Sequence, residues 1–289
     1  MIHELGLERR NLHGHFSREL PPVLAVDPGD SVRFPTLDAG WHSQPVGQHF
    51  DDLDPELEGA GHALVGPIEV RGAVAGVTLA VRIDELRVAT WGITFAGDDG
   101  MLWELDPEAG TGKGPAGRVV ELAPFLGVIG MPPPEPGVHS TGPPRRFGGN
   151  LDCKLLVAGA TLLLPIPVDG ALVSAGDAHA AQGDGEVSGT AIECPLERAQ
   201  LTLDVRDDLE LRAPIARTPD AWIAFGLDED LDSAAEQARD NMLDLMEREH
   251  GLGRREALAL ASVVVDLHVT QIVNGTKGVH AVLRHDALR

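Results

Sequence analysis

From Gly176 to Glu186 the chain reads Gly-Asp-Ala-His-Ala-Ala-Gln-Gly-Asp-Gly-Glu, which gathers three carboxylates, an imidazole and an amide in one window. Residues i and i+2 of a strand share a face. Asp177 and His179 are therefore expected to point one way together, and Asp184 and Glu186 likewise. The residues between them, Ala180 to Gly183, read as a turn or distorted strand that lets the two pairs converge. One imidazole nitrogen with two or three carboxylate oxygens suits zinc, calcium or another divalent cation. Such a set with an open position can activate water. Asp152, just ahead of a strand and on the same face as Lys154, is a further carboxylate for this site. The competing reading is a solvated turn, because Asp, Gly and Gln also cluster there. Against it stand the flanks, Leu162 to Leu164 and Val187 to Ile192, which read as strands that a core would bury. Polar groups between buried strands need partners.

Other side chains offer weaker chemistry. Cys153, Lys154 and Glu193 could form a nucleophilic set, but Cys153 and Lys154 are adjacent and face opposite sides of a strand. His62 reads as a surface histidine, Asp38 is ambiguous, and His139 sits among prolines. No Gly-x-Ser-x-Gly elbow, phosphate-binding Gly-rich loop or His-Glu-x-x-His pair occurs.

The elements that must position the central window are mostly strands. Val23 to Val26 runs into the turn Asp27-Pro28-Gly29-Asp30, and Ser31 to Phe34 alternates polar and apolar. Gly66 to Gly72, Val77 to Ile83, Pro124 to Gly130, Cys153 to Val157, Thr161 to Pro165, Ala191 to Cys194 and Ala199 to Val205 all read as strands. Residues 41 to 61 form a polar loop long enough for a lid or a site wall, and residues 91 to 101 and 107 to 117 read as loop-rich. The last quarter changes character. Asp232 or Ser233 can cap a helix whose apolar positions are Ala234, Ala238, Met242, Leu245 and Met246. Gly251 stops it, Arg254 to Val264 forms a second helix, and Val279 to Leu283 is a closing strand. The fold expected is mainly β, with a helical hairpin late in the chain. It divides into an N-terminal β portion at 1–125, a β portion with the central motif at 126–212, and an α+β portion at 213–289.

The composition excludes several functions. The formal charge of −22 over 289 residues opposes binding to nucleic acid or anionic membranes. No apolar run approaches the roughly 18 residues of a membrane helix. Met1 to Gly6 shows no basic-then-apolar leader, so a cytoplasmic protein is expected. Two cysteines, Cys153 and Cys194, make no disulfide framework and are expected reduced and buried.

Several of these segments together resemble the acetamidase/formamidase family. They are Leu126 to Gly130, Pro143-Pro144-Arg145-Arg146 with Gly148 to Asp152, Gly176 to Glu186, and Gly189 to Glu193. Asp27 to Asp30, Gly66 to Ile68 and Gln271 to Asn274 fit as well, so the resemblance spans nearly the whole chain. It implies hydrolysis of short aliphatic amides to ammonia and a carboxylate, a jelly-roll-like β-sandwich body, metal dependence and a homo-oligomer. Carried over by residue, it implies Asp152, His179, Asp184 and Glu186 as metal ligands and Glu193 as an acidic position nearby. Glu193 or Asp177 would then be the general base, while Gln182 would bind the substrate amide or orient a ligand. The rival is a non-catalytic β-sandwich that binds a metal or small ligand.

Overall fold

The computed structural model describes residues 1–45 and 61–288. Most of the loop expected to wall the site, residues 46–60, lies outside the described residues. The rest is mainly β, as expected. Nine strands form one sheet, in the order Ile2–Glu4, Asp30–Phe34, Leu196–Arg206, Thr78–Val88, Thr161–Pro165, Ile215–Arg217, Ala221–Asp228, Lys277–Arg284 and Val265–Gln271. A second sheet runs Gly148–Asn150, Phe125–Gly130, Val173–His179, Leu64–Val70 and Leu12–His13, with Leu24–Val26 paired to Leu64–Val70.

Alternation explains how the sheets pack. In Thr78–Val88, Leu79, Val81 and Ile83 are buried while Arg82 is exposed. They join Val65, Ile68, Leu126, Ile129 and Val173 of the second sheet in one core, which makes the body a sandwich. Leu162 and Leu164 face that core, and Leu163 faces a second one under the helices. A central strand covered on both faces needs such an unbroken apolar run. Thr161–Pro165 pairs with Thr78–Val88 on one side and Ile215–Arg217 on the other. Sheet hydrogen bonding therefore crosses both divisions drawn from the sequence, at 125/126 and 212/213.

The helical hairpin is present as α1, Leu231–His250, and α2, Arg254–Val264. Ala234, Ala238, Met242, Leu245 and Met246 are all buried, and Gly251 closes α1 at φ 66°. The cap differs from expectation: Asp230, not Asp232 or Ser233, accepts the Ser233 N–H at 2.8 Å. Val187 to Cys194, expected as strand, is turn and loop with isolated bridges at Glu193, and two further segments differ. Residues 91 to 101 belong to a hairpin of Trp91–Ala96 and Asp99–Asp106, turned at Gly97 with φ 62°. Cys153 to Val157 forms turns rather than a strand.

The hairpin sits close to its sheet because of one glycine. A Cβ on Gly226 would lie 1.9 Å from the Ala234 carbonyl oxygen and 2.4 Å from the Ala238 nitrogen. Both are helix backbone and cannot rotate away. Gly226→Ala is expected to lift α1 from the sheet and cost about 2–3 kcal/mol. Thermal melting reads this as a transition several degrees lower. An unchanged melting temperature would show that α1 does not rest on this glycine.

Candidate functional site

The central window comes apart at its glycines. Asp177 and His179 end the strand Val173–His179, which pairs with Phe125–Gly130. Residues after it leave the sheet in a loop, and Glu193 returns to bridge the backbones of His179 and Ile93. Asp152 follows the short strand Gly148–Asn150. These segments bring Asp152, Asp177, His179, Glu186 and Glu193 together, each no more than 6% exposed.

The backbone is strained where the carboxylates sit. Asp152, Asp177 and Glu186 have φ of 48°, 55° and 46°. Left-handed conformations cost of order 1–3 kcal/mol for such residues and concentrate at functional sites. Here the strain turns three carboxylates toward one imidazole.

Hydrogen-bond logic fixes the histidine. Gln182 Nε2 can only donate, and it donates to the Asp152 carbonyl at 2.8 Å. Gln182 Oε1 must then accept, from His179 Nδ1–H at 2.8 Å. That leaves Nε2 of His179 facing the acids, 3.1 Å from Glu193 Oε2 and 3.4 Å from Asp177 Oδ1. Phe125 packs on the ring edge-on at 4.9 Å. Of the two roles considered for Gln182, the geometry matches the orienting one.

Charge is out of balance in this space. Buried Asp152 Oδ1, Glu186 Oε2 and Glu193 Oε2 have no hydrogen-bond partner, and neither has Asn150 Oδ1. Asn274 Nδ2 donates to the other Asp152 oxygen at 2.5 Å, so Oδ1 is the one left over. Burial, with nearby acids adding to it, pushes the Asp152 carboxyl well above its ordinary value and Glu186 up to about 7. Asp177 goes the other way: burial opposes ionisation, but His62 and His179 hold it at about 2. Burial alone would depress His179, yet Glu193 and Asp177 outweigh it and raise the imidazole well above its ordinary value. One imidazolium cannot neutralise four acids, and no Lys or Arg lines the pocket among the described residues. Unpaired buried charge is costly, so the donor set fits a divalent cation. Asp152, His179 and Glu186 present donor atoms within 4.8 Å of one another, as do Asp177, His179 and Glu193.

The acids open into a pocket of about 200 Å³. Ile93 and Phe95 give it an apolar side, and Asn150, Asn274, His42 and His62 supply polar groups. His62, read from sequence as a surface histidine, is half-buried and lines the pocket; its Nδ1 lies 2.9 Å from Thr141 Oγ1. Asp38 also lines it, buried and accepting from the His42 backbone N–H at 2.6 Å. Asn150 stands inside the segment Gly148 to Asp152 that carries the resemblance, but an Asn beside two glycines signals a turn, so nothing else in the sequence marks it as a site residue.

Asp184 does not belong to this group. Gly185 at φ 96° and Glu186 at φ 46° break strand alternation, so the two acids face apart. Asp184 Oδ2 lies 3.0 Å from Lys154 Nζ and 3.3 Å from His268 Nδ1. The Cys153 nucleophile fares no better: the thiol is fully buried, and burial pushes it up to about 12. Reactive cysteines need the thiolate.

A model of the Acetamidase/Formamidase family matches residues 3–110 and 137–283. A formamidase of Methylophilus methylotrophus is 26% identical over 247 residues, covering 61% of this chain and 60% of that protein. The chain thus spans about 60% of the length of the curated relatives it matches. An acetamidase structure from Bacillus halodurans superposes with a TM-score of 0.87 at 30% identity, covering 97% of both chains. The structure of a predicted acetamidase/formamidase from Thermoanaerobacter tengcongensis gives 0.87 at 27% identity, over 98% of this chain and 96% of the other.

Proposed function

The chain belongs to the acetamidase/formamidase family, and from that premise we propose that it hydrolyses short aliphatic amides to ammonia and a carboxylate. We further propose that Asp152, His179 and Glu186 hold a divalent cation, zinc before calcium because one donor is an imidazole. The observation that carries this reading is the set of buried, unpartnered oxygens facing one imidazole nitrogen in a small pocket. Asp152 Oδ1 and Glu186 Oε2 have no hydrogen-bond partner, and His179 turns Nε2 toward the acids because Gln182 takes Nδ1.

Held there, a divalent cation supplies Lewis acidity toward a carbonyl oxygen and lowers the pKa of water from 15.7 to about 7. The protein's own groups do the rest. Gln182 locks His179 with its proton on Nδ1. Asp177, ionised at about 2, stays beside Nε2 as a fixed negative charge. Glu193, anchored through Oε1 on the Ala191 N–H at 2.8 Å, holds Oε2 at the acid cluster, 3.1 Å from His179 Nε2, as the oxygen that would take a proton from water and pass it to the leaving nitrogen. Asn150 Oδ1 can accept from the substrate NH₂. One water is consumed: a C–O bond forms, the C–N bond breaks, and nitrogen leaves as ammonia. At about 200 Å³ the pocket has room for a short amide.

Ammonia release from formamide, acetamide and propionamide, with and without chelator, tests the reading. Turnover is expected to vanish with chelator and return with zinc. Glu193→Gln is expected to keep its cation and lose about a hundredfold or more in rate. A protein that binds cation but releases no ammonia from any short amide would be the non-catalytic binder instead. Full activity after complete metal removal would end the metal-dependent mechanism.

A further inference from the structure

We propose a second cation site, built by Asp184, His268 and His280, on the outer side of the loop that carries Glu186. His268 and His280 are direct partners across the antiparallel strands Val265–Gln271 and Lys277–Arg284. Their rings stack at 5.1 Å and 9°, so both imidazoles stand side by side on one face. A ring nitrogen of each and a carboxylate oxygen of Asp184 lie within 4.8 Å of one another. Two imidazoles and a carboxylate make a donor set that first-row transition metals take up readily.

A separate observation points to a ligand. His280 is fully buried, and its Nδ1 is engaged with Thr270 Oγ1 at 2.8 Å. The other nitrogen, Nε2, is buried without a hydrogen-bond partner. A buried polar atom left unpaired is costly, and a cation would satisfy it. Lys154 now neutralises Asp184 at 3.0 Å. Its side chain is 35% exposed and free to swing into water, so it acts as the ammonium that a metal displaces.

The site would also stiffen the catalytic loop. Gly185 N–H donates to the Thr270 carbonyl at 3.0 Å, and Ile272 N–H donates to the Gly185 carbonyl at 3.2 Å. A cation on Asp184 and His268 would clamp this junction two residues before Glu186. The site stands on its own donors and does not depend on amide hydrolysis.

Chelator-stripped full-length protein titrated with Co²⁺, followed by visible absorption and elemental analysis, decides it. Two equivalents per chain are expected in the parent, with His268→Ala and His179→Ala each removing a different one. His268 is 41% exposed, so its loss leaves the fold intact. Lys154→Met frees the carboxylate and is expected to tighten this second equivalent about tenfold. The proposal is overturned if His268→Ala binds as much cation as the parent. It is also overturned if the parent takes up one equivalent and His179→Ala removes it. If His179→Ala changes nothing while His268→Ala loses cation, this site stands and the Asp152–His179–Glu186 reading falls.

Discussion

His179→Ala is expected to lose cation binding and amide hydrolysis together, with turnover down at least a thousandfold, or about 4 kcal/mol of barrier. Among the described residues, His179 is the one nitrogen donor grouped with the acids as a cation ligand, and its Nε2 is aimed there by the Gln182 bond to Nδ1. Alanine leaves Asp152, Asp177, Glu186 and Glu193 facing one another with no cation between them. Their repulsion is expected to lower stability as well, since removing a metal from such a set uncovers like charges. If His179 were instead a satisfied polar residue in a β core, the change would lower stability while sparing metal and rate. The deciding measurement is metal content beside turnover in the folded fraction. Bound metal with a loss under tenfold, about 1.4 kcal/mol, would remove His179 from the ligand set.

Asp177, His179 and Glu186 are legible together because their spacing is compressed into one window, whereas Asp152 rests on a strand at Cys153 to Val157 that does not form and Glu193 on the family resemblance. Sequence reading went astray at Asp184 for a definite reason. Period-two reasoning assumes extended backbone, and Gly185 and Glu186 both adopt positive φ, which reverses the face without changing the residue types. The loop of His62 and Asp38 was ambiguous because nothing local ties it to the central window. Only the closure of the second sheet brings Leu64–Val70 alongside Val173–His179, and with it the residues just before Leu64. The helical hairpin was the clearest part. Its burial follows a 3.6-residue period that survives without any long-range information. The hairpin at Trp91 is obscured by Gly92, which weakens the strand signal. Its closeness to the site has its own glycine: a Cβ on Gly92 would come 2.6 Å from the Ile192 side chain and 3.0 Å from the Glu193 carbonyl.

Gly127→Ala is expected to cut turnover at least a hundredfold, about 2.7 kcal/mol, by filling the site from its floor. Gly127 needs no left-handed backbone, so its role is room rather than conformation. An added Cβ would lie 2.6 Å from Asp152 Oδ1, 2.6 Å from Asp177 Oδ2 and 3.0 Å from the Asp177 carbonyl. No real methyl tolerates those distances, so at least one carboxylate must move. Neither moves freely. Asn274 grips the other oxygen of Asp152, and both acids stand on backbone already held at positive φ. The neighbouring strand is fixed by pairing at Leu126 and Val128 on either side of the glycine. The change therefore falls on Asp152 Oδ1, the atom assigned to the cation, and metal affinity is expected to drop with turnover. Overpacking will also cost some stability, about 1–3 kcal/mol. Metal content and turnover are therefore read in the folded fraction, beside Gly226→Ala as a variant destabilised far from the acids. A Gly127→Ala protein that keeps parental metal content and turnover within threefold would mean that the space between Asp152 and Asp177 is not where the chemistry happens.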